Sequence, residues 1–313
     1  SSDVCSSDLK YLFLFLTIFT SVVTAEKYGM IFGTAEGWRN YPVYSLTCRL
    51  YDDMIKAGIK PENIIYMTYY GDVYKDVNPF KGMVFTDPAD NTDGDWAKYG
   101  CFDHVDYTDK DINLEVFLAI LSGDAETVKA KTGKENPKVL AAGPDDTVFT
   151  YFIDHGAEGI IVVGKDYVTD EQLLDSLKTA HEKKLYGKWV WFMEACYSGS
   201  MFKNLPKDWD IYIMTAADDK HPAWMSNCPP NDAIAGTHLG TCISSLWDEA
   251  FMVYAEEKSK DVIGDLVDTV KKEVAETSDQ NVSEFGDMSF REVPFSEFFG
   301  ELPAPSFRSV KKT

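Results

Sequence analysis

Two reactive side chains stand at the ends of two apolar runs. Residues 149–155 read FTYFIDH and residues 189–196 read WVWFMEAC, so His155 and Cys196 each close a segment that reads as a strand covered on both faces. Cysteine attacks a carbonyl as its thiolate, and a histidine is the usual group that generates or pairs with that thiolate. The oxyanion formed by such an attack needs backbone N–H donors, and those of Gly156 and Cys196 are the candidates. Gly156, Gly159 and Gly199, with Ser198 and Ser200, let the chain turn sharply and leave room beside both side chains. Of the other histidines, His104 and His221 fall in predicted loops, His181 on a helix and His238 at a predicted helix start. The bland alternative is an inert buried thiol and a turn histidine. The matched strand-end placement argues against it.

Other chemistries find no pattern. The chain has no C-x-x-C, H-x-x-x-H or H-E-x-x-H, so a zinc site is not expected, and no P-loop or G-x-G-x-x-G, so no cofactor is expected. The 51 acidic residues outnumber the 30 Lys and Arg, giving a net charge of −21. Such a surface repels phosphate backbones and excludes nucleic acid as a partner class.

The elements that must position the pair alternate. Lys27–Gly33 reads as a strand, Tyr44–Lys56 as a helix stopped by Gly58, and Asn63–Tyr69 as a second strand. Short links between them predict a parallel α/β sheet. Residues 71–110, rich in Asp, Gly, Pro and Asn, read as a solvated acidic loop that lacks the EF-hand spacing. A helix is expected over Asp111–Leu121, opened by its acidic residue. Asp146–Asp154 reads as a strand, Gly159–Val163 as a short hairpin strand, and Thr169–Tyr186 as an amphipathic helix opened by a capping box. Lys188–Ala195 and Trp209–Thr215 are further strands, the loop Ala216–Thr237 follows, and Leu239–Glu257 and Val262–Ala275 are closing helices. Ligand sites in such sheets lie at the carboxyl ends of strands, where both reactive groups fall.

Residues 10–25 (KYLFLFLTIFTSVVTA) read as a secretory signal peptide preceded by a remnant over 1–9, and no later apolar stretch reaches the ~20 residues of a membrane span. Asn281-Val282-Ser283 is a glycosylation sequon. An odd number of cysteines beyond residue 25 leaves at least one thiol free. Cys48 sits on the apolar side of its predicted helix and reads as a buried small hydrophobe. No linker divides residues 26–300, which read as one domain.

HGAEG after one strand and EACYSGSM after the next resemble the histidine and cysteine motifs of the legumains, asparaginyl endopeptidases of the caspase-like clan. GTAEGWRNYP is similar to that family's first-strand turn, and DKDINLEVFLAILSGD to its central helix. The resemblance implies a caspase-like α/β sandwich, its mostly parallel sheet flanked by helices on both faces. It also implies a monomeric cysteine endopeptidase acting on peptide or protein substrates, open to cystatin-type inhibitors and directed to lysosome, vacuole or the extracellular space. Carried over by position, Cys196 is the nucleophile, His155 the catalytic histidine and Asn40 the asparagine that supports it. Asp154 and Glu194 match acids near the primary specificity pocket.

Three departures stand out. Pro42 replaces an arginine of that pocket, Thr241 replaces a second acid, and Pro222 and Ala223 replace expected serines. The resemblance therefore implies the peptidase chemistry without a strict asparagine preference. A C-terminal prodomain would be represented by no more than the stub 301–313. The rivals are a relative of the GPI transamidase catalytic subunit, a peptide ligase, and a catalytically silent binding protein of the same fold. Cys228 and Cys242 lie in adjoining segments near the implied pocket, which suggests a disulfide between them, with a pair of free thiols as the alternative.

Overall fold

A computed structural model describes residues 25–89 and 100–303. The signal-peptide and remnant readings, the centre of the acidic loop and most of the C-terminal stub lie outside the described residues.

In chain order the elements are β1 (Lys27–Gly33), α1 (Tyr41–Lys56), β2 (Ile64–Thr68), α2 (Leu114–Leu121), α3 (Ala125–Thr132) and β3 (Thr147–Ile153). A small antiparallel sheet follows, β4 (Gly156–Ala157), β5 (Ile160–Val163) and β6 (Asp166–Thr169), then α4 (Asp170–Glu182), β7 (Lys188–Glu194) and β8 (Ile211–Thr215). The loop beyond carries β9 (Met225–Ser226), β10 (Ala233–Ile234), β11 (Thr237–His238) and β12 (Ser244–Ser245). α5 (Leu246–Lys258), α6 (Ile263–Thr277), β13 (Ser283–Gly286) and α7 (Ser296–Phe299) complete it.

The main sheet runs β13-β8-β7-β3-β1-β2, parallel throughout except for the antiparallel edge strand β13. Side chains alternate between its faces. Phe32 and Phe152 meet Phe117 of α2 on one face. Tyr66 stacks on Tyr51 of α1, and Phe192 packs on Trp247 and Phe251 of α5, on the other. Helices thus cover both faces, which is why these strands read as continuous apolar runs. Gly33 lets α1 lie close on β1, since a Cβ there would sit 2.7 Å from the Thr47 methyl and 2.8 Å from Val43 Cγ1.

Four expectations change. The helix expected from Asp111 starts at Leu114, because Asn113 caps it by accepting the Val116 N–H at 3.0 Å. The helix expected from Leu239 starts at Leu246. Gly240 takes a φ of +74°, Ser244 and Ser245 pair with Ser226 and Met225, and Ser245 caps the helix. His238 therefore lies on β11, away from any helix start. The acidic loop is not solvated throughout: Val73, Val84 and Phe85 are fully buried, and Asn78 donates to the carbonyls of Val73 and Met83. Cys48 is not a lone hydrophobe but forms a disulfide with Cys101, tying α1 to that loop.

Candidate active site

The ends of β1, β3 and β7 run side by side beyond their ladders. Thr34 N–H donates to Ile153 O, and Asp154 N–H to Glu194 O. The chain after β3 turns at Asp154-His155, and the chain after β7 turns at Cys196-Tyr197. Gly156 is where the two turns meet: a Cβ there would lie 2.3 Å from the Cys196 carbonyl oxygen. Only glycine allows this approach, which brings the histidine and cysteine turns together.

The histidine turn is held by Asp154. Its Oδ2 accepts the Thr34 hydroxyl at 2.6 Å and its Oδ1 accepts the His155 N–H at 2.5 Å. Burial pushes the Asp154 carboxyl up to about 7, although both hydrogen bonds favour its charged form. The His155 ring meets Asn40, with Nε2 3.0 Å from Asn40 Oδ1. Asn40 Nδ2 donates to Glu36 O at 2.8 Å, so the amide oxygen faces the ring. The imidazole then carries its proton on Nε2, and Nδ1 keeps the lone pair.

The cysteine turn is held from below. Tyr197 adopts the left-handed conformation with φ +56°, and its N–H donates to His221 O. Ser200 Oγ donates to Tyr197 O at 2.7 Å and accepts the Gly159 N–H at 2.8 Å, binding the two turns to each other. Ser198 Oγ bridges to Ala217, and Gly199 packs where a Cβ would sit 2.9 Å from Asp218 Cα. Cys196 is half-buried and free, and its thiol donates to Ala223 O at 3.7 Å. Burial raises the thiol above its ordinary value, so the resting group is the thiol.

The remaining residues named from sequence make separate contacts. Pro42 is buried in the first turn of α1, where its ring fits and its missing N–H costs no bond. Thr241 Oγ1 donates to Arg39 O at 3.2 Å, and Trp38 Nε1 donates to Leu239 O, so the loop before α5 lies against the turn that carries Asn40. The Cys228–Cys242 disulfide forms and joins the segment after Ala223 to the segment after Thr241. Glu194 does not turn toward His155. By strand parity it points to the α5 face, where its Oε2 accepts from Ser245 Oγ at 3.1 Å. Ser245 also contacts Asp248, and Tyr151 O–H donates to Asp248 at 2.8 Å. Burial raises Glu194 well above the usual carboxyl range and Asp248 to about 7.

Thr34, Glu36, Ser245 and Asp248 escaped the sequence reading. Ser245-x-x-Asp248 is a helix-opening pattern and was open to view; the others are visible only in three dimensions. A cavity of about 690 Å³ is lined by Trp38, Tyr74, Val77 and two Lys–Asp pairs, and contains neither His155 nor Cys196. No cluster of metal-ligating side chains occurs among the described residues.

The model of the Peptidase C13 family matches residues 27–301. The chain is similar to legumain from Mus musculus, 35% identical over 87% of this chain and 58% of that protein. It is similar to a hemoglobinase from Schistosoma mansoni, 33% identical over 88% of this chain and 59% of that one. The vacuolar-processing enzyme delta-isozyme of Arabidopsis thaliana is 30% identical, with 88% and 59% covered. The chain thus spans somewhat under two thirds of the length of these relatives. Among solved structures, caspase-1 from Spodoptera frugiperda superposes with a TM-score of 0.47 at 12% identity over 84% of this chain and 86% of that one. A family match that runs from the first strand of the main sheet to beyond its last helix makes this chain a member of the Peptidase C13 family.

Proposed function

We propose that residues 26–300 form the catalytic domain of a cysteine endopeptidase in which Cys196 attacks the scissile carbonyl of a peptide or protein substrate. The observation that carries this reading is the approach of the two strand-end turns at Gly156, with the His155 ring oriented by Asn40. The Cys196 thiol is raised, so its proton must be removed as it attacks, and His155 Nδ1 is the free base for that step. The Cys196 sulfur then bonds the carbonyl carbon, the backbone N–H groups of Gly156 and Cys196 hold the oxyanion, and His155 passes the proton to the leaving amine. Water, deprotonated by His155, hydrolyses the resulting thioester. The close approach of the two turns and the Asn40 contact to the His155 ring support peptidase chemistry over the silent binding protein.

By position in the family, the pocket for the residue before the scissile bond is read at Asp154, Glu194, Pro42, Thr241 and Ala223. Without the arginine and the second acid, it can read an N–H donor but lacks a charged partner for a side-chain oxygen. Preference is therefore broader than asparagine alone. The signal-like residues 10–25 and two disulfides agree with a secretory-pathway location. The test is a peptide library digested from about pH 4 to about pH 7 by wild type and by Cys196→Ala. Cys196-dependent cleavage after several residue types is expected. Absence of such cleavage at every pH sinks the peptidase reading, and cleavage confined to asparagine sinks the pocket reading.

A further inference from the structure

The loop after β8 supplies both acceptors of the nucleophile turn. His221 O takes the Tyr197 N–H at 3.0 Å, and Ala223 O takes the Cys196 thiol at 3.7 Å. Tyr197 holds a left-handed φ of +56°, which a bulky side chain keeps only under outside constraint. The direction of Cys196 therefore depends on where these two carbonyls are held. Neither belongs to a helix or a strand.

Asp218 gathers the first of them. Its Oδ1 accepts the N–H groups of Lys220 at 2.8 Å and His221 at 2.9 Å, so the chain rolls around its own carboxylate. The His221 ring folds back over the same group, with Nδ1 2.8 Å from Oδ1 and 2.9 Å from Oδ2. From the other side, Asn281 Nδ2 donates to Asp218 Oδ2 at 3.2 Å. Asn281 Nδ2 also lies 3.1 Å from His221 Nδ1, and with one carboxylate between them both act as donors to it. Burial opposes the Asp218 charge, but the hydrogen bonds from Lys220, His221 and Asn281 outweigh it and hold the carboxyl below its ordinary value.

This turn is tied to the site on one side and to the sheet on the other. A Cβ at Gly199 would sit 2.9 Å from Asp218 Cα, so the Asp218 backbone lies directly on the nucleophile turn. Ser283 of β13 pairs with Thr215 at the end of β8, which brings residues 280 and 281 alongside the start of the loop. Gln280 is fully buried and spans that loop. Its Nε2 donates to Ala216 O at 2.8 Å, and its Oε1 accepts the Trp224 N–H at 2.8 Å. The edge strand thus delivers two amides that close the loop carrying both carbonyls.

We infer that Asp218 is a positioning residue for the acyl transfer: anchored by Asn281, it sets the His221 carbonyl beneath the Tyr197 N–H and so fixes the direction of the Cys196 side chain. The inference rests on the reading of Cys196 as the nucleophile. Asp218 acts through the His221 carbonyl and not on the reacting atoms. Every group around it donates, so an asparagine at 218 sets its own NH2 against Asn281 and His221, and an aspartate at 281 sets one carboxylate against another. Exchanging the two residues restores a donor facing an acceptor with the total charge unchanged.

The experiment compares D218N, N281D and the exchanged pair D218N/N281D with a reference protein. Asn281 heads the sequon, so all four carry Ser283→Ala, which removes the sequon and leaves the amide. Native Cys196 is titrated with iodoacetamide, its alkylation rate is recorded, and kcat and KM are measured on a peptide substrate per titrated thiol. In each single variant kcat per thiol is expected to fall about tenfold with KM changed less than about twofold, and in the exchanged pair to return within about threefold of the reference. The alkylation rate, read without substrate, is expected to move at least about threefold in the single variants and to return in the exchanged pair. A brace that serves stability alone lowers the melting temperature and leaves kcat per thiol intact. Unchanged kcat per thiol or an unchanged alkylation rate in both single variants overturns the inference, as does an exchanged pair no better than either. If the alkylation pattern is as expected while the reference protein cleaves no peptide, the positioning of the thiol stands and the peptidase reading falls. Asn and Asp are close in size, and N281D tests the contact even if D218N does not fold.

Discussion

Asp154 and Glu194 end neighbouring strands, and the Glu194 carbonyl accepts the Asp154 N–H, yet the two carboxyls live differently. Both are buried and both are raised by that burial. Asp154 has donors on both oxygens and spends them on the backbone of the turn that carries His155. Glu194 has one oxygen on a shared serine and one on nothing. A fully satisfied buried acid is part of the scaffold. An incompletely satisfied one is a desolvation cost that the rest of the fold must offset.

Experiments can break this contrast at several strengths. The largest effect tests whether the two strand ends serve one reaction at all. Cys196→Ala and His155→Ala should each lower kcat/KM by roughly a thousandfold or more, and the double variant should lose little beyond either single one. Additive losses would separate the two ends into independent roles. Next, Asp154→Ala should cost about 2 kcal/mol in urea unfolding by stranding the His155 N–H and leaving the Thr34 hydroxyl only its longer contact to Val162 O, whereas Glu194→Gln should cost under about 1 kcal/mol. Equal losses would erase the distinction between scaffold and incompletely satisfied acid. Asn40→Ala removes the acceptor that fixes the histidine tautomer and should lower kcat/KM about tenfold with little change in unfolding midpoint. Recovery of activity in Asn40→Asp would support the orienting role, and no loss in Asn40→Ala would refute it.

A separate contrast is the pH dependence of stability. Asp154 is raised in the folded state, to about 7, from an ordinary 3.8. The folded state therefore binds more protons than the unfolded state between those values, and the group's contribution is fully present below 3.8 and is lost as pH rises toward 7. Melting temperature should fall across that window in wild type. The fall should be shallower in Asp154→Asn; an unchanged slope would show that another group sets it.

Much of this site is readable from residues alone because the buried strands are continuous. FTYFI and WVWFM each stop at a carboxylate, and the next reactive side chain follows within two residues, so the strand ends and the pair at them are visible without coordinates. What fails is whatever depends on contacts between segments. Leu239 and Ile243 look helical, but the disulfide from Cys242 and the positive φ of Gly240 keep that stretch extended. Cys101 follows a stretch without periodicity, so nothing marks it as the partner of Cys48. The contact of Asp248 with Glu194 through Ser245 is hidden for the same reason: its sequence neighbours explain a helix cap, and only the fold brings Glu194 to the same serine.

The pairing of Cys48 with Cys101 and of Cys228 with Cys242 leaves Cys196 as the one free thiol among the described residues. An alkylating reagent applied to native protein spanning those residues therefore counts competent nucleophiles, one label per molecule, and any second equivalent reports a broken crosslink. Reductant in an assay acts on both quantities at once. Enough of it keeps Cys196 available, while an excess opens the crosslink joining the segments after Ala223 and Thr241. Turnover should thus pass through a maximum with reductant concentration, and labelling stoichiometry shows on which side of that maximum a preparation lies.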